Sequence, residues 1–192
     1  VFADQVHPTT AAHRLISDYV LGSLNAPILV AQAADQASQV LDVSWRANEA
    51  RQRRFLDGLR HDDRVEGWVT LEGGNTRLGT VQGQGGLDAQ PRTLSAGLDR
   101  RFGSDWLAGV AVSFQHGNQT VSGLGRFDMD SPAFSLYGVW RPGAAWVQGN
   151  LTLADNRYTF HRDAVLGPVT RTESADANGS TRGLKLEAGY DV

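Results

Sequence analysis

Gly183-Leu184-Lys185-Leu186-Glu187-Ala188-Gly189-Tyr190-Asp191-Val192 reads with a period of two. Leu184, Leu186, Ala188, Tyr190 and Val192 fall on one side, and Gly183, Lys185, Glu187, Gly189 and Asp191 on the other. That is a strand with one apolar and one polar face. The pattern repeats upstream. In residues 145–153, Val147, Leu151 and Leu153 oppose Gln148, Asn150 and Thr152. In residues 106–115, Ala108, Val110, Val112 and Phe114 oppose Gly109, Ala111, Ser113 and Gln115. In residues 92–102, Leu94, Ala96, Leu98 and Phe102 oppose Thr93, Ser95, Gly97, Asp99 and Arg101. Residues 132–140 are noisier, with Phe134, Leu136 and Trp140 on one side but Tyr137 and Val139 on the other. With residues 66–72 this makes six strands.

Alternation alone fits a soluble antiparallel sheet with one wet face. Two further features favour a membrane barrel. The breaks alternate: Gly103-Ser104-Asp105 and Arg141-Pro142-Gly143 are tight, while residues 73–91, 117–125 and 161–180 read as long polar loops, the outer-membrane arrangement. Phe102, Trp106, Trp140, Trp146 and Tyr190 gather at the short-turn ends, with Trp68 if the first strand starts there, as rings do at a membrane–water boundary. Trp68 and Trp146 have the parity of the lumen rather than of lipid. The competing reading makes these rings the core of a soluble sandwich. Composition leaves the barrel open. The 192 residues are 41% apolar, and no apolar run reaches the ~18 residues of a membrane-spanning helix. The absence of Cys excludes disulfides and thiol chemistry, and a net charge of −3 argues against nucleic acid as partner.

Before residue 64 the period changes. Thr9 or Thr10 is placed to cap a helix carrying Leu15, Ile16, Tyr19, Val20 and Leu24 on one face, and Asn25-Ala26-Pro27 is expected to stop it. Residues 36–60 form a second expected helix, polar almost all round, which suits a wet enclosure or an interdomain bridge. Inside a barrel, its Arg46, Arg51, Arg53 and Arg54 would face inward carboxylates such as Glu72, Asp99, Glu187 and Asp191. Val1 is not a start Met, and the opening reads as the middle of a folded domain.

One short motif carries chemistry: Asp4-Gln5-Val6-His7-Pro8-Thr9. A His in a loop before a helix, with a carboxylate three residues back, suits a general base and its orienter. The competing reading is a His that packs at a helix start. His13, His61, His116 and His161 show no metal-ligand spacing.

Asp4-x-x-His7-Pro8-Thr9 followed by an Ala-rich helix resembles the last conserved block of the GDSL/SGNH serine esterases. There the Asp and His complete a Ser-His-Asp triad, which needs no cofactor or metal. The rest of the chain resembles the linker and β-domain of an autotransporter, above all from Thr159-Phe160 through Ala164-Val165-Leu166-Gly167 to Leu184-Lys185-Leu186-Glu187-Ala188-Gly189-Tyr190. Joined in this order, the chain is similar to the esterase autotransporters of type V secretion.

The resemblance implies a mainly β protein in three parts. Residues 1–27 end an α/β passenger, residues 28–63 form a linker with a lumenal helix, and residues 64–192 supply about six of about twelve antiparallel barrel strands. It implies catalytic His7 and Asp4, with the nucleophilic Ser and the oxyanion-hole residues upstream. No G-D-S or G-x-S-x-G occurs in these residues. The implied partners are an ester or lipid substrate, outer-membrane lipid and the barrel assembly machinery. The implied location is the Gram-negative outer membrane, passenger outward. No Asn-Asn pair occurs in the linker helix, so the self-cleavage site of one autotransporter subgroup is absent. A non-enzymatic autotransporter or porin-like barrel, with a fortuitous Asp4–Thr9 match, is the alternative. A soluble β-sandwich with a helical arm is a third.

Overall fold

The computed structural model describes residues 9–59, 63–79, 86–166 and 169–191. Helix α1 runs from Thr10 to Leu56. The Thr9 hydroxyl caps it, accepting from the Ala12 N–H at 3.3 Å. The expected stop at Asn25-Ala26-Pro27 does not occur: one helix passes through Pro27. Proline lacks an N–H and clashes with the preceding turn, at a cost of about 3 kcal/mol. Just beyond it, Leu29, Ala33, Ala37 and Val40 recur at helical spacing and bury against the sheet. Burying Leu29 and Val40 contributes about 1.5–3 kcal/mol each, which offsets the proline. At the other end the helix stops short of the expected Arg60. Gly58, at φ 68°, turns the chain, and the Asp57 and Leu59 N–H groups close onto the carbonyls of Arg53 and Arg54.

Seven strands come after the helix: β1 Val65–Gly73, β2 Thr76–Leu78, β3 Leu87–Phe102, β4 Trp106–Val121, β5 Gly125–Trp140, β6 Ala145–Leu166 and β7 Val169–Tyr190. The six long ones make an antiparallel sheet in the order β1-β3-β4-β5-β6-β7, and the short β2 pairs with β3. β1 pairs only with β3, and β7 only with β6, so among the described residues the sheet is open at both edges.

The tight turns expected at residues 103–105 and 141–143 are present, the second running to residue 144, with Gly103 and Gly143 at positive φ. The long polar breaks are corrected. Residues 117–121 continue β4 and pair with β5, from Gly117↔Met129 to Val121↔Gly125. Most of residues 161–180 continues a β6–β7 hairpin that pairs out to Leu166↔Val169. Strand persists there because the ladder needs only backbone groups. The apolar alternation stops because neither face meets lipid at that height.

One face of the sheet is covered by α1 and the other is bare. On the bare face Val110, Val112, Phe114, Phe134, Leu136, Leu153, Leu184 and Leu186 are exposed. The apolar band covers residues 106–114 of β4 and 132–140 of β5, about the 9–11 residues a tilted strand needs to cross a bilayer. Phe102, Trp106, Trp140 and Tyr190 edge it at the short-turn rim, with Trp106 stacked on Trp140 at 5.6 Å. Trp68 and Trp146 point to the helix side, as their parity requires.

Candidate functional site

The helix-covered face is polar, and its side chains are organised around α1. From Leu29 to Phe55 the helix rises about 39 Å, enough to pass from one rim to the other. At the long-hairpin rim, Leu29, Ala33, Ala37 and Val40 pack on Val121, Phe127, Met129, Ala133, Ala154 and Tyr158. Phe127, Tyr158 and Phe160 lie ring against ring there, 5.5–6.4 Å apart. At the short-turn rim Phe55 packs on Leu107 and Val139, with the Arg101 guanidinium over its ring at 5.9 Å. The Arg141 guanidinium donates to the Leu56 carbonyl, one of the orphan acceptors of the helix end, and pairs with Asp191 at 2.7 Å. Two apolar collars thus hold the helix, one around its middle turns at Leu29 to Val40 and one at its C-terminal end.

Between the collars Leu41 and Trp45 lie against Gly183 of β7, and the remaining contacts are polar. The Arg51 Nε donates to Asp99 Oδ2 at 2.8 Å, and its Nη2 reaches both Asp99 and Glu66. Asp99 also accepts from the Tyr137 hydroxyl at 2.7 Å, which in turn accepts from Trp68 Nε1 at 2.8 Å. A buried carboxylate is tolerated only when its lone pairs are matched, and these donors match them. Glycine makes the room. A Cβ on Gly109 would stand 2.3 Å from the Tyr137 ring, and one on Gly97 2.6 Å from Trp68. Gln52 donates to the carbonyls of the paired Gly138 and Gly149 at 3.0 and 2.9 Å, and accepts from Asn150 at 3.1 Å. Lys185 bridges Glu49 of the helix and Glu187 of β7 at 2.5 and 3.0 Å.

The expected arginine–carboxylate pairing holds for Arg51 with Asp99 and for Arg46 with Glu72, the latter at 3.3 Å and exposed. It is redistributed for the others: Glu187 pairs with Lys185, Asp191 with Arg141, and Arg53 with its own helix neighbour Glu49 at 3.9 Å. Sequence reasoning does not single out Tyr137, Gln52 or Lys185. Only the irregular parity of Tyr137 marks it as inward. Asp4 and His7 lie outside the described residues. Among the described residues no cluster of His, Asp or Glu is built to hold a metal.

The arrangement ties and seals: it fixes a charged helix inside a sheet whose other face suits lipid. A bare apolar band with an aromatic edge, backed by a polar interior around a helix, defines part of a transmembrane β-barrel with an occupied lumen. No described helix is long and apolar enough to cross a membrane.

Residues 67–192 match the autotransporter beta-domain family, and the chain belongs to it. Membership places it in the outer membrane of Gram-negative bacteria. Over its whole length the chain is 28% identical to lipase 1 of Photorhabdus luminescens, covering 28% of that protein. It is 25% identical to esterase EstA of Pseudomonas aeruginosa and to that of Pseudomonas putida, covering 30% of each. The chain thus spans about a third of the length of these relatives.

Proposed function

We propose that the intact protein is an outer-membrane ester hydrolase whose β-domain exports its own catalytic domain and keeps it attached at the cell surface. The observation that carries this reading is the single helix α1. It lines the sheet from rim to rim and runs on, without interruption, from the long-hairpin side toward the residues that hold Asp4 and His7. The match to proteins named lipase and esterase covers the whole chain, that stretch included.

In this reading Asp4 holds one ring nitrogen of His7. The other nitrogen takes the proton of a serine supplied by the rest of the catalytic domain, and the serine attacks a carboxylic ester, lipid esters included. The resulting acyl-enzyme is then hydrolysed. The chemistry is that of a GDSL/SGNH hydrolase, and insertion falls to the barrel assembly machinery.

In the intact protein His7→Ala removes the base and lowers kcat by about 10⁴–10⁶. Export is unchanged, because His7 takes no part in the barrel. Asp4→Asn is damaging to a lesser degree, since the base survives without its orienter. Surface antibody staining beside an ester assay on the same cells reads both effects. Full activity in His7→Ala would replace this reading with a non-enzymatic autotransporter.

A further inference from the structure

The bare face of the sheet is not evenly filled. A furrow of about 800 Å³ crosses it near the long-hairpin end of the apolar band, walled by Leu94, Val112, Phe114, Phe134 and Leu153. Its floor dips at Pro132, where the β5–β6 pairing passes from Asp130↔Arg157 directly to Ala133↔Ala154. Proline has no N–H to give the ladder, and its short ring leaves a hollow among larger neighbours. Past Ala96 and Val112 the furrow continues into a second apolar hollow of about 550 Å³ beside Gly67 and Gly97, deeper in the band.

The polar end of the furrow is basic. Arg182 and Asp155 line it, and Arg157 stands next to Asp155 on the same face of β6. One row further out, Arg92, His116, Asp130 and Arg157 lie side by side across four strands. In that row Asp130 is held by His116 at 2.7 Å. Among the described residues Arg92, Arg157 and Arg182 have no ion-pair partner. Arg92, Arg157 and Arg182 stand here against the carboxylates of Asp130 and Asp155, which leaves this end positive by one charge, at the height where the apolar band gives way to polar strand. Guanidinium binds phosphate in a bidentate fork, and here it stands at the boundary where lipid phosphates lie.

We propose that this furrow binds a phosphorylated, multi-chain glycolipid of the leaflet at the long-hairpin rim. The acyl chains lie in the furrow and reach toward Gly67, and the phosphate sits on Arg157 and Arg182. The breadth across β3 to β7 admits more than one chain. The site rests on the membrane-barrel reading but not on ester hydrolysis.

The test uses the intact protein, folded into phosphatidylethanolamine vesicles that contain a minor fraction of bisphosphorylated lipid A. The protein is extracted in mild detergent, and the lipid it retains is measured by mass spectrometry. Lipid A is expected at about tenfold its share of the vesicle, and dephosphorylated lipid A at no enrichment. The double variant Arg157→Gln, Arg182→Gln returns retention to vesicle composition. So does Ala96→Phe, which fills the furrow and leaves the charges in place. Heat-modifiable mobility on gels verifies folding in each case and tests the barrel separately. No enrichment in the unaltered protein, undiminished retention in the folded variants, or equal retention of dephosphorylated lipid A or of phosphatidylglycerol would overturn the assignment.

Discussion

Asp99 meets Arg51 from 48 residues away, Tyr137 from 38, and Tyr137 meets Trp68 across 69. None of these separations is visible in a periodic pattern. The alternation shows that Asp99 and Trp68 point inward, but only the register of β1, β3, β4 and β5 sets them in one cluster. Asp99→Asn removes the buried counterion of Arg51, leaving only the more exposed Glu66, and costs about 3 kcal/mol, the low end for breaking a buried pair. Tyr137→Phe removes a hydroxyl that joins Trp68 to Asp99 and costs about 1–3 kcal/mol. Both lower the temperature at which the folded barrel loses its gel mobility, Asp99→Asn the more. Gly109→Ala lowers it too, because the Tyr137 ring is held by two hydrogen bonds and has nowhere to move. Equal melting of Asp99→Asn and the unaltered protein would show that the cluster carries no stability.

Strands are legible at the scale of the element wherever lipid and lumen impose opposite demands on alternate residues. That condition ends at the edge of the band, and the legibility ends with it. Residues 171–180 look like loop because both faces are exposed, and residues 117–121 because their buried face carries Gly117 and Gln119 before Val121, yet the backbones of both stay paired. The helix misleads in the opposite way: Pro27 is a local stop signal, overridden by tertiary burial of Leu29 and Val40. The alternation of rims gives a topology. The α1 C-terminus and the start of β1 share the short-turn rim. Short turns lie on the periplasmic side of outer-membrane barrels, so the expected orientation sets Ser104 toward the periplasm and Asn118, on the paired extension of β4, toward the outside. Cysteine placed at Asn118 in the intact protein reacts with an impermeant maleimide on whole cells, and cysteine at Ser104 does not. The reverse pattern would invert the barrel. Leu186→Arg sets a charge on the bare face of β7 within the band, at about 2–4 kcal/mol near the midplane. It lowers the amount of assembled protein at the surface, read by antibody staining, and on the proposed function leaves ester hydrolysis per assembled molecule unchanged. A fall in specific activity would show that the barrel wall and the catalytic domain are coupled.

For the molecule as a whole, the open edges of β1 and β7 set the physics. An edge strand in hydrocarbon presents N–H and C=O groups that no water satisfies, each at a cost of several kcal/mol. Even a few such groups outweigh the ~5–15 kcal/mol that stabilises a typical domain, so an open sheet of this extent does not persist in a bilayer. Joining β1 to β7 directly would give six long strands, below the eight of the smallest outer-membrane barrels, and would crush the space α1 occupies. The edges therefore require further strands as partners. Expressed alone and mixed with vesicles, these 192 residues form no species with heat-modifiable mobility. They associate through the bare edges, and on the proposed triad chemistry, which takes its serine from the rest of the catalytic domain, they leave a short-chain nitrophenyl ester intact. Supplying the missing strands as a separate chain restores a compact, heat-modifiable band if edge pairing is the sole defect. A compact band from the 192 residues alone would mean that the sheet closes on itself or on a second copy, and the argument from unpaired edges would fail.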